Sequence, residues 1–251
     1  MILILTLRRL FRATAVVLAF LIGVLITSTF SFLLRPIAQQ KAARILKFFI
    51  HVWCKNVCSA LGVRIRQQGV PPLGVPGLIV SNHISWLDII VLGSTGPFAF
   101  VSKHEVAEWP VVGYLAIQAG TLFLRRGDRE STRAVCSDMT ARLTGGDHLV
   151  FFPEGTSSPG TSVLRFHARL FQAALDAGVE VQAVGIAYRN EAGTVVPFVG
   201  DDEFLPHLWR VMALPQIEVD LFFCEPLPTE ALDRKKLSEL TYHQIVTALK
   251  P

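Results

Sequence analysis

The uncharged run from Ala13 to Leu34 constrains this chain more than any other stretch. It has about the 20 residues that a helix needs to cross the hydrocarbon core of a bilayer. Arg8, Arg9 and Arg12 precede it, and Arg35, Lys41, Arg44 and Lys47 follow it. A secretory leader also begins with positive charge, but its apolar region is shorter and ends at a small-residue cleavage site. No such site follows here, so residues 1–36 read as an uncleaved membrane anchor, an N-terminal transmembrane helix. The slight excess of positive charge behind the run predicts that the rest of the chain lies in the cytoplasm.

Residues 37–62 continue with helical periodicity. Gln40, Arg44, Lys47, His51 and Lys55 recur at intervals of three and four, and Ile45, Phe48, Phe49, Val52 and Trp53 fill the opposite side. A helix of this pattern lies in the headgroup plane of a membrane or packs on a protein core. Its place directly behind the anchor favours the interface.

From Val63 to the end, strand-like and helix-like stretches alternate. Strands are expected at Val63 to Arg66, Leu78 to Ser81, Phe98 to Ser102, Thr121 to Leu124, His148 to Phe152, Val179 to Tyr188 and Ile217 to Phe223. Helices are expected from Trp86 to Leu92, Ala107 to Gln118, Arg129 to Leu143, Phe166 to Ala177, Leu205 to Met212 and onward from Glu230. This pattern predicts an α/β fold over residues 63–251, with a mixed, largely parallel sheet flanked by helices. No repeat or linker divides it, so one domain follows the anchor and the amphipathic helix.

The formal net charge of +4 suits an anionic membrane surface or a phosphate-bearing substrate. A nucleic-acid partner is not expected, because no basic run is interleaved with aromatics. Cys54, Cys58, Cys136 and Cys224 form no CxxC pair and no zinc-like cluster with histidine, so they read as reduced thiols and no metal is expected.

The candidate chemistry begins at Asn82-His83-Ile84-Ser85-Trp86-Leu87-Asp88, between a short buried strand and the opening of a helix. Five residues of continuous helix turn through about 500°, which would point His83 and Asp88 roughly 140° apart. They meet only if His83 lies in the turn and Asp88 on the first turns of the helix. A buried carboxylate would then hold one imidazole nitrogen and leave the other to take a proton from an alcohol. A second reading makes Ser85 and Asp88 a capping box.

Three further stretches end strands. Gly120 to Arg126 delivers Arg125 and Arg126, suited to phosphate or to neighbouring carboxylates. Phe151 to Gly160 leads Glu154 into a loop of small residues, Gly155 and Thr156 among them, in which Glu154 could meet a substrate polyol or brace the loop. Val181 to Arg189 reads as a central strand with mainly structural work. No Walker loop, dinucleotide fingerprint or nucleophile elbow is present, which leaves His83 to act on the substrate's own hydroxyl.

The blocks Asn82 to Asp88, Gly120 to Arg126 and Phe152 to Thr156, in that order and at these separations, resemble the glycerolipid acyltransferases of the lysophosphatidic acid acyltransferase type. The resemblance implies that His83 and Asp88 are catalytic and that Arg126, Glu154, Gly155 and Thr156 contact the acceptor, with Arg125 beside them. It implies transfer from acyl-CoA or acyl carrier protein to a lysolipid, most simply 1-acylglycerol-3-phosphate, without a cofactor, at the cytoplasmic side of a bacterial inner membrane. Two departures stand out: Ser157 occupies a place where the family usually has arginine, and Ala183 one where its fourth block has proline. Phe152 to Gly160, Phe100 to Lys103 and Gly200 to Phe204 in combination are also similar to the branch that includes lyso-ornithine lipid acyltransferases, which offers a second acceptor. A non-catalytic lipid-binding protein and a hydrolase are the competing functions.

Overall fold

A computed structural model describes residues 2–34, 39–72, 74–125 and 127–250. Arg35 and Arg126 lie outside the described residues, as do the side chains of Gln40, Lys41 and Arg44. In chain order the elements are α1 (Ile2–Thr29), α2 (Gln39–Leu61), β1 (Val63–Gln68), β2 (Gly77–Ser81), α3 (Leu87–Gly93), β3 (Ala99–Lys103), α4 (Val112–Gln118), β4 (Leu122–Leu124), α5 (Arg129–Thr144) and β5 (Leu149–Phe151). After these come α6 (Gln172–Ala177), β6 (Glu180–Tyr188), α7 (Ala192–Val195), α8 (Phe204–Val211), β7 (Ile217–Phe223) and α9 (Arg234–Ala248).

The strands form one seven-stranded sheet in the order β1-β7-β6-β2-β5-β3-β4. All neighbours are parallel except β6 and β7. The expected mixed, largely parallel sheet is therefore present. Period-two alternation divides its side chains between two cores. Ile79 of β2 joins Leu87 and Val91 of α3 and Val57 of α2 on one face. Leu78 and Val80 join Met139 of α5, Phe171 and Leu237 of α9 on the other. Because β6, β2, β5, β3 and β4 run the same way, the residues after each emerge along one edge.

Two expected helices are broken. Ala107 to Gln118 divides into a 3-10 turn at His104–Glu108 and α4. Pro110 lies between them, and Val111 takes a left-handed φ of 62° that no helix continues. The stretch from Phe166 opens as a 3-10 turn at Ala168–Phe171 before α6. The last helix starts later than Glu230, where Asp233 accepts from the amides of Lys235 and Lys236 and caps it.

Leu3–Phe32 is long and apolar enough to cross a membrane. It does not stand apart from the domain. The Arg12 guanidinium, 6% exposed, donates to the carbonyls of Met212 (3.2 Å), Leu214 (2.5 Å) and Pro215 (3.1 Å), and Arg8 donates to Ala213 O (2.9 Å). Arg9 lies over the Trp209 ring. Further along, Trp53 donates to Ala19 O at 2.7 Å, and Ser28 and Tyr114 share a hydrogen bond of 2.8 Å. α1 is thus fastened to α2, α4 and the turn after α8 along most of its length. Its other face carries exposed Leu7, Leu10, Phe11, Leu18, Leu21 and Leu25.

In α2 the apolar Ile45, Phe48 and Phe49 face outward, with Phe49 against Phe30 at 5.4 Å between ring centroids. The basic side expected to meet headgroups turns partly inward instead. Lys47 pairs with Asp147, and His51 Nδ1 meets Gly93 O at 2.9 Å. Gly93 is needed at that crossing, since a Cβ there would sit 2.8 Å from Cys54 Sγ.

Candidate functional site

β2 ends at Ser81, and Asn82 continues its ladder with a side chain. Its amide donates to Ile186 O at 2.9 Å and its oxygen accepts from Ile186 N at 2.8 Å, so the turn is pinned to β6. His83 lies in the irregular turn that follows and α3 begins at Leu87, which brings His83 and Asp88 together as their spacing requires. His83 Nδ1 lies 2.8 Å from Asp88 Oδ2. The same oxygen accepts from the amides of Ile84 (2.7 Å) and Ser85 (2.9 Å), and Oδ1 accepts from Tyr188 Oη at 2.7 Å.

Two backbone amides and the Tyr188 hydroxyl already donate to this fully buried carboxylate. A group surrounded in this way acts as an acceptor only, so Nδ1 carries hydrogen and Nε2 presents a lone pair. Half of the capping box is also present, because Asp88 accepts from Ser85 N. The Ser85 hydroxyl is buried without a partner among the described residues.

The loop after β5 holds His83 by both of its peptide groups. Glu154 Oε1 accepts from His83 N at 3.2 Å, and Ser158 donates to His83 O through its amide (2.8 Å) and its hydroxyl (3.1 Å). The His83 ring stacks on Phe152 with centroids 4.1 Å apart. Gly155 makes the turn out of the strand at φ +70°, a conformation that strains other residues. Glu154 is 4% exposed, and its Oε2 has no partner among the described residues. Burial pushes its carboxyl up to about 7, against hydrogen bonds from the His83 and Leu164 amides that favour the anion.

His83, Trp86, Phe152, Gly155 and Thr156 line a cavity of about 420 Å³. The rest of its wall is mostly apolar, with Phe20 and Ile26 from α1, Trp53 and Val57 from α2, and Leu115 from α4 among the side chains. Trp86 is held by Nε1 donating to His207 Nδ1 at 3.0 Å, while His207 Nε2 donates to Pro197 O at 3.1 Å. Burial lowers the basicity of His207, consistent with a neutral ring that accepts at one nitrogen and donates at the other.

The structure thus gathers His83, Asp88, Glu154, Gly155 and Thr156, and of these His83, Gly155 and Thr156 line the cavity. Arg125 is exposed beyond β4, with Nη2 3.1 Å from His104 Nε2, and does not line that cavity. Ser157 Oγ donates to Phe198 O. Tyr188, Asn82 and His207 were not legible as partners of the His83 turn. Tyr188 ends a stretch read as structural, and its contact with Asp88 joins residues 100 apart in sequence.

A family model described as Acyltransferase matches residues 62–187. The lyso-ornithine lipid O-acyltransferase of Pseudomonas aeruginosa is 42% identical over 78% of this chain and 76% of its own length. The 1-acyl-sn-glycerol-3-phosphate acyltransferase of Neisseria meningitidis is 36% identical over 74% of each chain. The crystal structure of the 1-acyl-sn-glycerophosphate (LPA) acyltransferase PlsC from Thermotoga maritima shares the fold at a TM-score of 0.74, with 22% identity over 97% of this chain and 93% of that one.

Proposed function

This chain belongs to the acyltransferase family, and we propose that it moves a fatty acyl group from an acyl thioester to the free hydroxyl of a lysolipid, 1-acylglycerol-3-phosphate in the first instance. The observation that carries this reading is His83, held through Nδ1 by an acceptor-only Asp88 and lining an apolar cavity. Nε2 takes the proton of the lysolipid hydroxyl as the oxygen attacks the thioester carbon. The tetrahedral intermediate then expels the thiolate, which recovers the proton from the imidazolium. The thioester brings its own activation, so the step as proposed calls on no cofactor. CoA and acyl carrier protein both supply such a thioester.

The apolar cavity suits the acyl chain, each buried methylene favouring binding by about 0.8 kcal/mol. Glu154, Gly155 and Thr156 flank the place where the acceptor hydroxyl must arrive, and Arg125 and Arg126 are proposed to approach its headgroup. The clasp of Arg8 and Arg12 on the domain supports an in-plane rather than a crossing disposition of α1, with its exposed leucines in the cytoplasmic leaflet of the inner membrane.

A lyso-ornithine lipid is the second acceptor to consider. Ser157 spends its hydroxyl on Phe198 O and brings no cation to the loop, and several relatives bear that activity in their names. Membranes containing the protein or its His83→Ala variant, offered labelled acyl-CoA or acyl carrier protein with either lysolipid, test the proposal. Product from 1-acylglycerol-3-phosphate that disappears with His83 is expected. Product from the ornithine lipid alone would transfer the reading to that acceptor. Product from neither would favour a lipid-binding role, and free fatty acid formed without acceptor would favour a hydrolase.

A further inference from the structure

We infer that Tyr188 is a positioning residue for this reaction, its hydroxyl fixing the rotation of the Asp88 carboxylate so that Oδ2 faces His83 Nδ1. The inference rests on the dyad reading given above. The two oxygens of Asp88 are unequally supplied: Oδ2 accepts from His83 Nδ1 and two backbone amides, while Oδ1 accepts from Tyr188 at 2.7 Å. Without that hydroxyl, Oδ1 of a carboxylate that must balance the imidazolium would be buried with no donor among the described residues.

The fold delivers the hydroxyl by strand register. Asn82 bonds both backbone groups of Ile186, and Tyr188 lies two residues further along β6, on the same face. The bridge that sets the His83 turn therefore also sets the phenol beneath Asp88. Burial and the neighbouring carboxylate push the Tyr188 phenol well above its ordinary range, so it remains a donor throughout the working pH. The titratable groups around the pair are His83 itself, Glu154 from the loop after β5, Tyr188 from β6 and Cys58 from α2.

A phenol that merely satisfied a buried oxygen would affect stability and nothing else. One that positions the carboxylate acts through Asp88, and that dependence is measurable. Tyr188→Phe keeps the ring in the core. Per folded enzyme, its kcat is expected to fall about tenfold with KM for both substrates within about twofold of the parent. The acid limb of its kcat profile should move to higher pH, because a carboxylate relieved of one donor pulls harder on the imidazolium. In an Asp88→Asn background the same change should cost nothing further.

An unchanged kcat in folded Tyr188→Phe, an unmoved acid limb, or the same fractional loss in both backgrounds would each overturn the role. These failures leave His83-dependent turnover intact. Full activity of His83→Ala would instead remove the dyad reading on which the inference stands.

Discussion

Glu154 shows how one side chain couples the site to stability. Its Oε1 holds the His83 amide while Oε2 is buried without a partner among the described residues, and the carboxyl is raised to about 7. The folded state therefore binds this proton more tightly than the unfolded chain, whose ordinary value is 4.5. Stability from this group is complete below that ordinary value and declines as pH rises towards about 7, by about 1.4 kcal/mol per pH unit in between. Glu154→Gln keeps an oxygen for the His83 amide and removes the titration. Thermal unfolding in detergent should show the parent losing stability relative to the variant between pH 5 and pH 8. Parallel curves would mean that the carboxyl is solvated. Of the roles legible in sequence for Glu154, bracing the loop is visible in the geometry. The Tyr188 contact was not legible, because strand periodicity predicts which face a residue takes and not which distant acid it meets.

At the scale of elements, α1 and α2 reward and mislead a reading of the sequence in equal measure. The absence of charge from Ala13 to Leu34 predicts a long helix, and α1 is one. What that helix packs on could not be read, since Arg12 meets carbonyls about 200 positions away. Flanking arginines look alike whether they face headgroups or the end of another helix. The strands are legible because each is a short apolar run bounded by turns, whereas the helical spacing of residues 107–118 hides the break at Pro110 and Val111. Arg12→Leu should lower stability by about 2–4 kcal/mol, since three carbonyls lose their donor. For a chain of this size that is a fall in Tm of roughly 5 to 15 °C in detergent. An unchanged Tm would mean that the clasp contributes nothing to holding α1 on the domain.

For the whole molecule, the proposed in-plane disposition places both ends of α1 on the side of the catalytic domain. A tag fused ahead of Met1 should then be cut by protease from the same face of sealed vesicles as the domain, and be protected with it when the vesicles are inverted. Cleavage of tag and domain from opposite faces would establish that α1 crosses the bilayer. The carboxyl edge of the parallel strands, where His83 and Glu154 emerge, opens on a cavity walled partly by α1 and α2. That shared wall makes the anchor non-interchangeable. A foreign membrane helix could hold the domain at the lipid surface, and a truncation could free it from that surface, but either would leave the chamber open along one side. On the proposed reading, substrate selection and tethering are a single inherited trait, and neither could be exchanged while the other was kept.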